Sequence, residues 1–431
     1  MGRKPIRYPV PLSPLLVAVF VTGATALVYE IVWTRWLTLV LGSTTAAVAA
    51  VLSSFMLGLA LGAVVVGRTA DRVRRPLRRY GTLELGVGFY ALVFDDLVQL
   101  GRDLLPASPW LQAFLLLLVP TALMGGTLPV LARAAAETRE QATRVLGSLY
   151  AVNTLGAVAG ALLTTFVLVE ELGLRGSVVA AAAANLAVGA VFWLSNLLSE
   201  ERPRAERFAV EPPPPGEAGR KRRRVVVAFF LAGFAGLGLE VASVRLLVYF
   251  LEGFTVAFGL MLAGYLLGLG LGSAGGTWLA LRTSHPRRLL TRLLAAEALL
   301  TVLCLTVLPT LRAPLEGIRR AAAQADSIGF GYSHGLFVAA AAVLLPPTLC
   351  GGALFPVVAR LAVTRPHAIG RDTGAIYAAT TLGAVLAPPV AGFLLIPGLG
   401  AQGAIVVFGL LLLAGAAFVH SWRGAAGWAG A

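Results

Sequence analysis

The chain has 431 residues, of which 58% are hydrophobic and only 13% charged, and its mean hydropathy is +0.82. That is more apolar material than a water-soluble core of this length can use, so the sequence reads as an all-α integral membrane protein with many crossings. The net charge of +14 follows from where the basic residues stand between the apolar runs, so no nucleic-acid partner is expected.

Apolar runs of about 20 residues, long enough to cross a roughly 30 Å hydrocarbon layer as helix, recur along the whole chain. The first set is expected near 15–39, 46–66, 81–98, 110–131, 146–169 and 177–198. The start MGRKPIR is basic and precedes an apolar run, but with eleven further spans behind it the first run reads as a retained signal anchor. Within that run, YEIVWTR (29–35) places Glu30 and Arg35 where charge is least welcome. The loop after the second span, GRTADRVRR (67–75), is rich in arginine, and Glu84 follows Arg79 by five residues in the third span. Asp95 and Asp96 sit near the outer end of that span and are expected at its rim.

Residues 199–224 (SEERPRAERFAVEPPPPGEAGRKRRR) carry a polyproline run and charge clusters, the composition of an extended cytoplasmic linker whose basic end meets anionic headgroups. The second set of spans is expected near 225–247, 254–280, 293–308, 336–359, 375–396 and 403–422, with Glu240, Arg245 and Glu297 inside it. The domains expected are therefore a first six-helix repeat over 1–198, the linker over 199–224 and a second six-helix repeat over 225–431. The motif GLGSAG (270–275) matches G-x-G-x-x-G, but no strand precedes it and it lies in a continuous apolar helix, so it is not read as a nucleotide site. Gly264, Gly268 and Gly272 read instead as a small-residue stripe for close helix packing, echoed by Gly58 and Gly62. Pro129 and Pro356 are expected to kink their helices. Cys304 and Cys350 lie within spans and are expected to be unbridged packing residues.

Placing the N-terminus, the even-numbered loops and the C-terminus on one side puts 28 of the 35 Lys and Arg there and seven on the other. By the positive-inside rule both termini are expected to be cytoplasmic, and the location expected is the cell's inner, or plasma, membrane.

The chain also matches itself. At a shift of 210, Glu30 falls on Glu240, Arg35 on Arg245, Gly58 on Gly268 and Gly62 on Gly272. At a shift of 227, PTALMGGTLPVLAR (120–133) falls on PTLCGGALFPVVAR (347–360), LYAVNTLGAV (149–158) on IYAATTLGAV, and Gly173 and Gly176 on Gly400 and Gly403. Six spans followed by six related spans in one orientation is a parallel duplication, expected to pack as two bundles about an axis along the membrane normal. An intramembrane carboxylate is costly, so its occurrence at equivalent positions of both halves places Glu30 and Glu240 in protein-lined surroundings. Two readings stand for them: structural pairing to neighbouring helices, or contact with a solute or proton. For Glu84 and Glu297, nearer the cytoplasmic side, the reading taken is pairing with their own basic loops.

The blocks GATALVYEIVWTRWLTLVLGST, FMLGLALGAVVVGRTADR, PTALMGGTLPVLAR and GSLYAVNTLGAVAGALL resemble the membrane-spanning region of bacterial fused major facilitator/spermidine synthase-like proteins, over nearly the whole chain. GRTADRVRR is similar to the loop between the second and third spans of major facilitator transporters, with Gly67, Asp71 and Arg72 at the matching positions. The second half departs from it, with Leu281 where Asp71 would fall. The resemblance implies a transporter-like protein handling a small cationic solute such as a polyamine, or else a non-transporting scaffold for a soluble aminopropyltransferase-like partner. The family's own aminopropyltransferase-like domain has no room here, since no loop exceeds about 26 residues and such a domain needs about 100 or more. Nor is there a nucleophile with its base, a metal-ligand cluster or an acid pair in a soluble cleft. The chain alone is therefore expected not to be an enzyme and to need no cofactor or metal; its partners are the lipid bilayer and a solute.

Overall fold

The computed structural model describes residues 11–41, 45–104, 109–195, 217–251, 254–307, 316–317, 320, 330–363 and 365–421, and in these the regular structure is helical throughout. The helices are α1 (Leu12–Leu41), α2 (Thr45–Ala70), α3 (Pro76–Leu92), α4 (Phe94–Leu104), α5 (Pro109–Gly125), α6 (Thr127–Ala135), α7 (Arg139–Leu163) and α8 (Val169–Ser195). They continue as α9 (Glu217–Leu251), α10 (Phe254–Arg282), α11 (Pro286–Val307), α12 (Phe330–Ala362), α13 (Ile369–Pro389) and α14 (Ile396–His420). Among the described residues nine helical stretches are long and apolar enough to cross a membrane.

Two of those stretches, Arg139–Ser195 and Pro366–His420, are each about twice the length of one crossing. Each folds back on itself at one glycine: Gly173 has φ 67° and Gly400 has φ 72°. A side chain at such a φ clashes with the following carbonyl, so the two glycines that match at a shift of 227 are the residues that allow the reversal. Before each reversal the helix widens into a π-helical turn, Thr164–Leu168 in one case and Val390–Leu395 in the other. With the α3–α4 and α5–α6 pairs each counted as one crossing, the described helices make twelve.

The expected spans underestimate the helices at their basic ends. The third begins at Pro76, the fifth at Arg139 and the ninth at Pro286, because a helix continues through polar residues that an apolar window discards. Proline suits the first turn, where its missing N–H is not needed. The third crossing is interrupted at Val93, between α3 and α4. The fourth is interrupted at Gly126; Pro129, three residues on, has no N–H for the Gly125 carbonyl, so the expected kink falls just ahead of it. Pro356 lies inside the continuous α12. One expectation needs correction: 217–224, read as the basic end of an extended linker, forms the first two turns of α9. The rest of that linker lies outside the described residues.

Helix pairs repeat between the halves. Helix α1 packs on α7 as α9 packs on α13; α2 packs on α5 as α10 packs on α12; α3 packs on α8 as α11 packs on α14. Two seams join the halves, α2 against α13 and α7 against α10. Small residues make these approaches close. A Cβ on Gly58 would fall on the Thr121 hydroxyl and one on Gly268 on the Thr348 hydroxyl, the same contact in each half. The two cysteines are free; the Cys304 thiol donates to the Val343 carbonyl at 2.7 Å.

Candidate functional site

Glu30 on α1 and Glu240 on α9 both line one central cavity of about 310 Å³ between the halves, and so do Glu84 on α3 and Glu297 on α11. The expectation that Glu84 and Glu297 pair with their basic loops fails. The Glu84 carboxylate accepts a 2.6 Å hydrogen bond from the Asn185 side-chain amide, and the Asn185 carbonyl oxygen accepts from the Tyr29 hydroxyl at 3.1 Å. Glu297 Oε2 is buried with no hydrogen-bond partner among the described residues. Arg35 and Arg245 are exposed and do not line the cavity, so each Glu-x-x-x-x-Arg motif sends its two charges different ways. Five residues on a helix turn the chain by about 140°, which is the reason.

The described residues around the cavity include four glutamates, Asn153, several threonines and apolar groups, but no Arg, Lys or His. An aromatic layer also lines the cavity. Tyr150 stacks on Phe355 at 4.6 Å, and Tyr377 meets Phe355 edge-on at 6.5 Å. These rings come from α7, α12 and α13, so both halves contribute to the layer. Aromatic faces are electron-rich and attract cations.

Below that layer the halves are clamped through Asp71. Helix α7 caps itself: Thr138 accepts from the Gln141 N–H while Gln141 Oε1 accepts from the Thr138 N–H. Its counterpart α13 begins after Ala368, which has no side chain to cap with. Asp71, from the end of α2 in the other half, supplies the missing acceptor, taking the Gly370 N–H at 2.9 Å and the Arg371 N–H at 2.8 Å. A carboxylate at a helix N-terminus is favoured by both hydrogen bonding and the helix dipole. Arg133 stands 3.8 Å from the same carboxylate. Burial raises the Asp71 carboxyl above its ordinary range, and the two backbone N–H groups and Arg133 act against that shift.

Arg139, at the start of α7, donates to the Val363 carbonyl at 3.0 Å, so the connection between α12 and α13 is held from the first half at both its ends. Arg222 on α9 pairs with Asp372 at 2.9 Å. Gly67 lets α2 approach α13: a Cβ there would come within 3.1 Å of the Gly374 Cα. Arg72 is exposed. Far from this end, Asp95 pairs with Arg175 at 3.5 Å, just past the Gly173 reversal, and Asp96 is exposed.

Sequence reasoning missed Asn185, Tyr29 and the aromatic layer. Asn185 was visible as a lone amide in the apolar run AAAAANLAVGAV. What it binds, 101 positions away in sequence, was not.

Residues 15–349 match the Major Facilitator Superfamily. Solved structures similar to this chain include the human organic anion transporter MFSD10 (TETRAN), with TM-score 0.66 and 16% identity over 95% of this chain and 100% of that one. Others are the E. coli fucose:proton symporter FucP, with TM-score 0.62 and 14% identity over 96% and 99%, and a bacterial homologue of the iron transporter ferroportin in an outward-facing state, with TM-score 0.66 and 14% identity over 95% and 98%. At these identities the likeness is one of fold. No curated protein matches the sequence.

Proposed function

The chain belongs to the Major Facilitator Superfamily, and from that premise we propose that it is a transporter for a small cationic solute, with Glu30 and Glu240 as the groups that bind it. The observation that carries this reading is the charge of the central cavity: four glutamates and no basic side chain among the described residues that line it. In surroundings of low dielectric such a set is costly when ionised and is relieved by cationic groups in the cavity. A polyamine fits this pattern, because its ammonium groups are separated by apolar methylene stems that the threonine-rich and apolar walls accept. A cavity of about 310 Å³ lies at the lower end of the size range for small-molecule sites. The aromatic layer beneath offers the cation a further favourable face.

The chain is a multi-pass membrane protein of two homologous six-helix repeats in this reading, with the basic, clamped end in the cytoplasm. The distribution of Lys and Arg supports that orientation. The experiment is uptake of radiolabelled spermidine and putrescine into proteoliposomes. Saturable uptake that is lost in Glu30→Gln and Glu240→Gln, at unchanged protein content, supports the reading. No uptake of any cationic solute by folded protein would leave the scaffold role instead.

A further inference from the structure

The two halves treat one shared volume differently. In the first half Tyr29 stacks on Trp33 at 4.8 Å and Trp33 on Phe94 at 4.5 Å, and all three rings are fully buried. They fill the space between α1, α3 and α5, while Asn185 satisfies Glu84. At the shift of 210, Leu239 stands where Tyr29 does and Ser243 where Trp33 does. Leu412 takes the place of Asn185 at the shift of 227, and Thr301 that of Gly88 at the shift of 213 that relates Glu84 to Glu297. The second half has thus lost two large rings and the amide, and has gained two hydroxyls.

The result is a chamber of about 40 Å³ lined by Ser243, Tyr265, Glu297, Thr301, Thr348 and the Cys304 thiol, with Leu239 and other apolar residues around them. Glu297 and Tyr265 line both this chamber and the central cavity, so they stand at the partition between the two. Glu297 is 5% exposed and Thr301 4%, yet Glu297 Oε2 and Thr301 Oγ1 have no hydrogen-bond partner among the described residues. Threonines in these helices commonly donate to the carbonyl four residues back, as Thr348 does to Leu344 at 2.7 Å. Thr301 does not. Buried polar groups left without partners are costly, and an ion or ordered water held between these two would relieve that cost.

We propose that this chamber binds a sodium-sized monovalent cation, with the Glu297 carboxylate as its charged ligand and the hydroxyl oxygens of Thr301, Ser243 and Thr348 around it. The volume exceeds what one water-sized occupant needs. One carboxylate with neutral hydroxyls balances a single positive charge; a divalent ion would leave a net charge in the membrane interior. The carboxylate and hydroxyl oxygens are hard donors that suit an alkali cation, and the one sulfur in the lining, Cys304, is a thiol already engaged with the Val343 carbonyl. Thr348 donates to its own backbone and still has lone pairs to offer. That such an ion would couple to solute movement rests on the reading of the central cavity given above, whereas its binding does not.

Thermal unfolding of the purified full chain, without any polyamine, tests the binding alone. Replacing N-methyl-D-glucamine chloride by sodium chloride at constant ionic strength should raise Tm by about 2–5 °C at saturation. The rise should vanish in Glu297→Gln. Thr301→Val should shift the half-saturating sodium concentration upward several-fold, and Ser243→Trp, which refills the chamber as the first half does, should abolish the response in protein that still unfolds cooperatively. Equal Tm in the two salts, or a sodium response that survives Glu297→Gln or Ser243→Trp, would overturn the assignment. A Tm that responds to pH alone would make Glu297 a proton carrier and overturn it equally. Polyamine uptake that fails while the sodium response stands would count against the cavity reading only.

Discussion

Replacing Asp71 by asparagine should loosen the basic end of the molecule without unfolding it. The carboxylate accepts two backbone N–H groups, from Gly370 and Arg371, across the two halves. Hydrogen bonds to a charged group contribute about 1.5–3 kcal/mol each, and a negative charge at a helix N-terminus about 0.3–1 kcal/mol more. Asparagine keeps one carbonyl oxygen and puts a donor where the second acceptor stood. A net loss of about 1–2 kcal/mol follows, which changes the ratio of sealed to unsealed molecules by about 5–30-fold. The assay is a pulsed electron-spin distance measurement between labels on Arg68→Cys and Pro366→Cys, both exposed, in a background without Cys304 and Cys350. Wild type should give one short distance and Asp71→Asn a second, longer population. An identical narrow distribution in both proteins would refute the clamp.

Gly272→Ala should lower thermal stability, because a Cβ there meets the Leu349 backbone of α12, whereas Gly275→Ala, with open space around it, should not; a detergent melt compares them, with overpacking costing about 1–3 kcal/mol. Gly173→Ala and Gly400→Ala should each destabilise by about 1–2 kcal/mol through their positive φ, read in the same melt. Asn185→Leu should cost about 1–3 kcal/mol by stripping Glu84 of its donor. An impermeant thiol reagent applied outside intact cells should miss a cysteine at Glu217 and reach one in the 312–330 loop; the opposite pattern would invert the proposed orientation.

The crossings were legible because lipid imposes apolar runs of nearly fixed length, and the self-match carried most of the fold with them. The same match pairs Gly173 with Gly400, although nothing in the match itself marks them as positions of positive φ. The break at Val93 was not legible, since nothing in LVFDDL marks a helix interruption. Glu30 and Glu240 stood out because they recur. The company of Glu84 did not, because Asn185 and Tyr29 reach it from other helices. Asp71 was visible only through the loop it resembles; its partners are backbone N–H groups, which leave no trace in side-chain sequence. The chamber beside Glu297 was latent in the alignment of the halves, as Tyr29 against Leu239 and Trp33 against Ser243. Only packing shows that the lost volume stays unfilled.

Equilibrium binding of radiolabelled spermidine to the purified protein in lipid nanodiscs tests most directly whether the central cavity takes a cationic solute. Wild type should bind saturably, and the Glu30→Gln/Glu240→Gln protein, confirmed folded by its melt, should bind at least about 100-fold more weakly, as expected when two charge-assisted contacts of about 1.5–3 kcal/mol each are removed. Equal affinity in the two proteins, or no saturable binding by wild type, would contradict the assignment of Glu30 and Glu240 as the solute's partners.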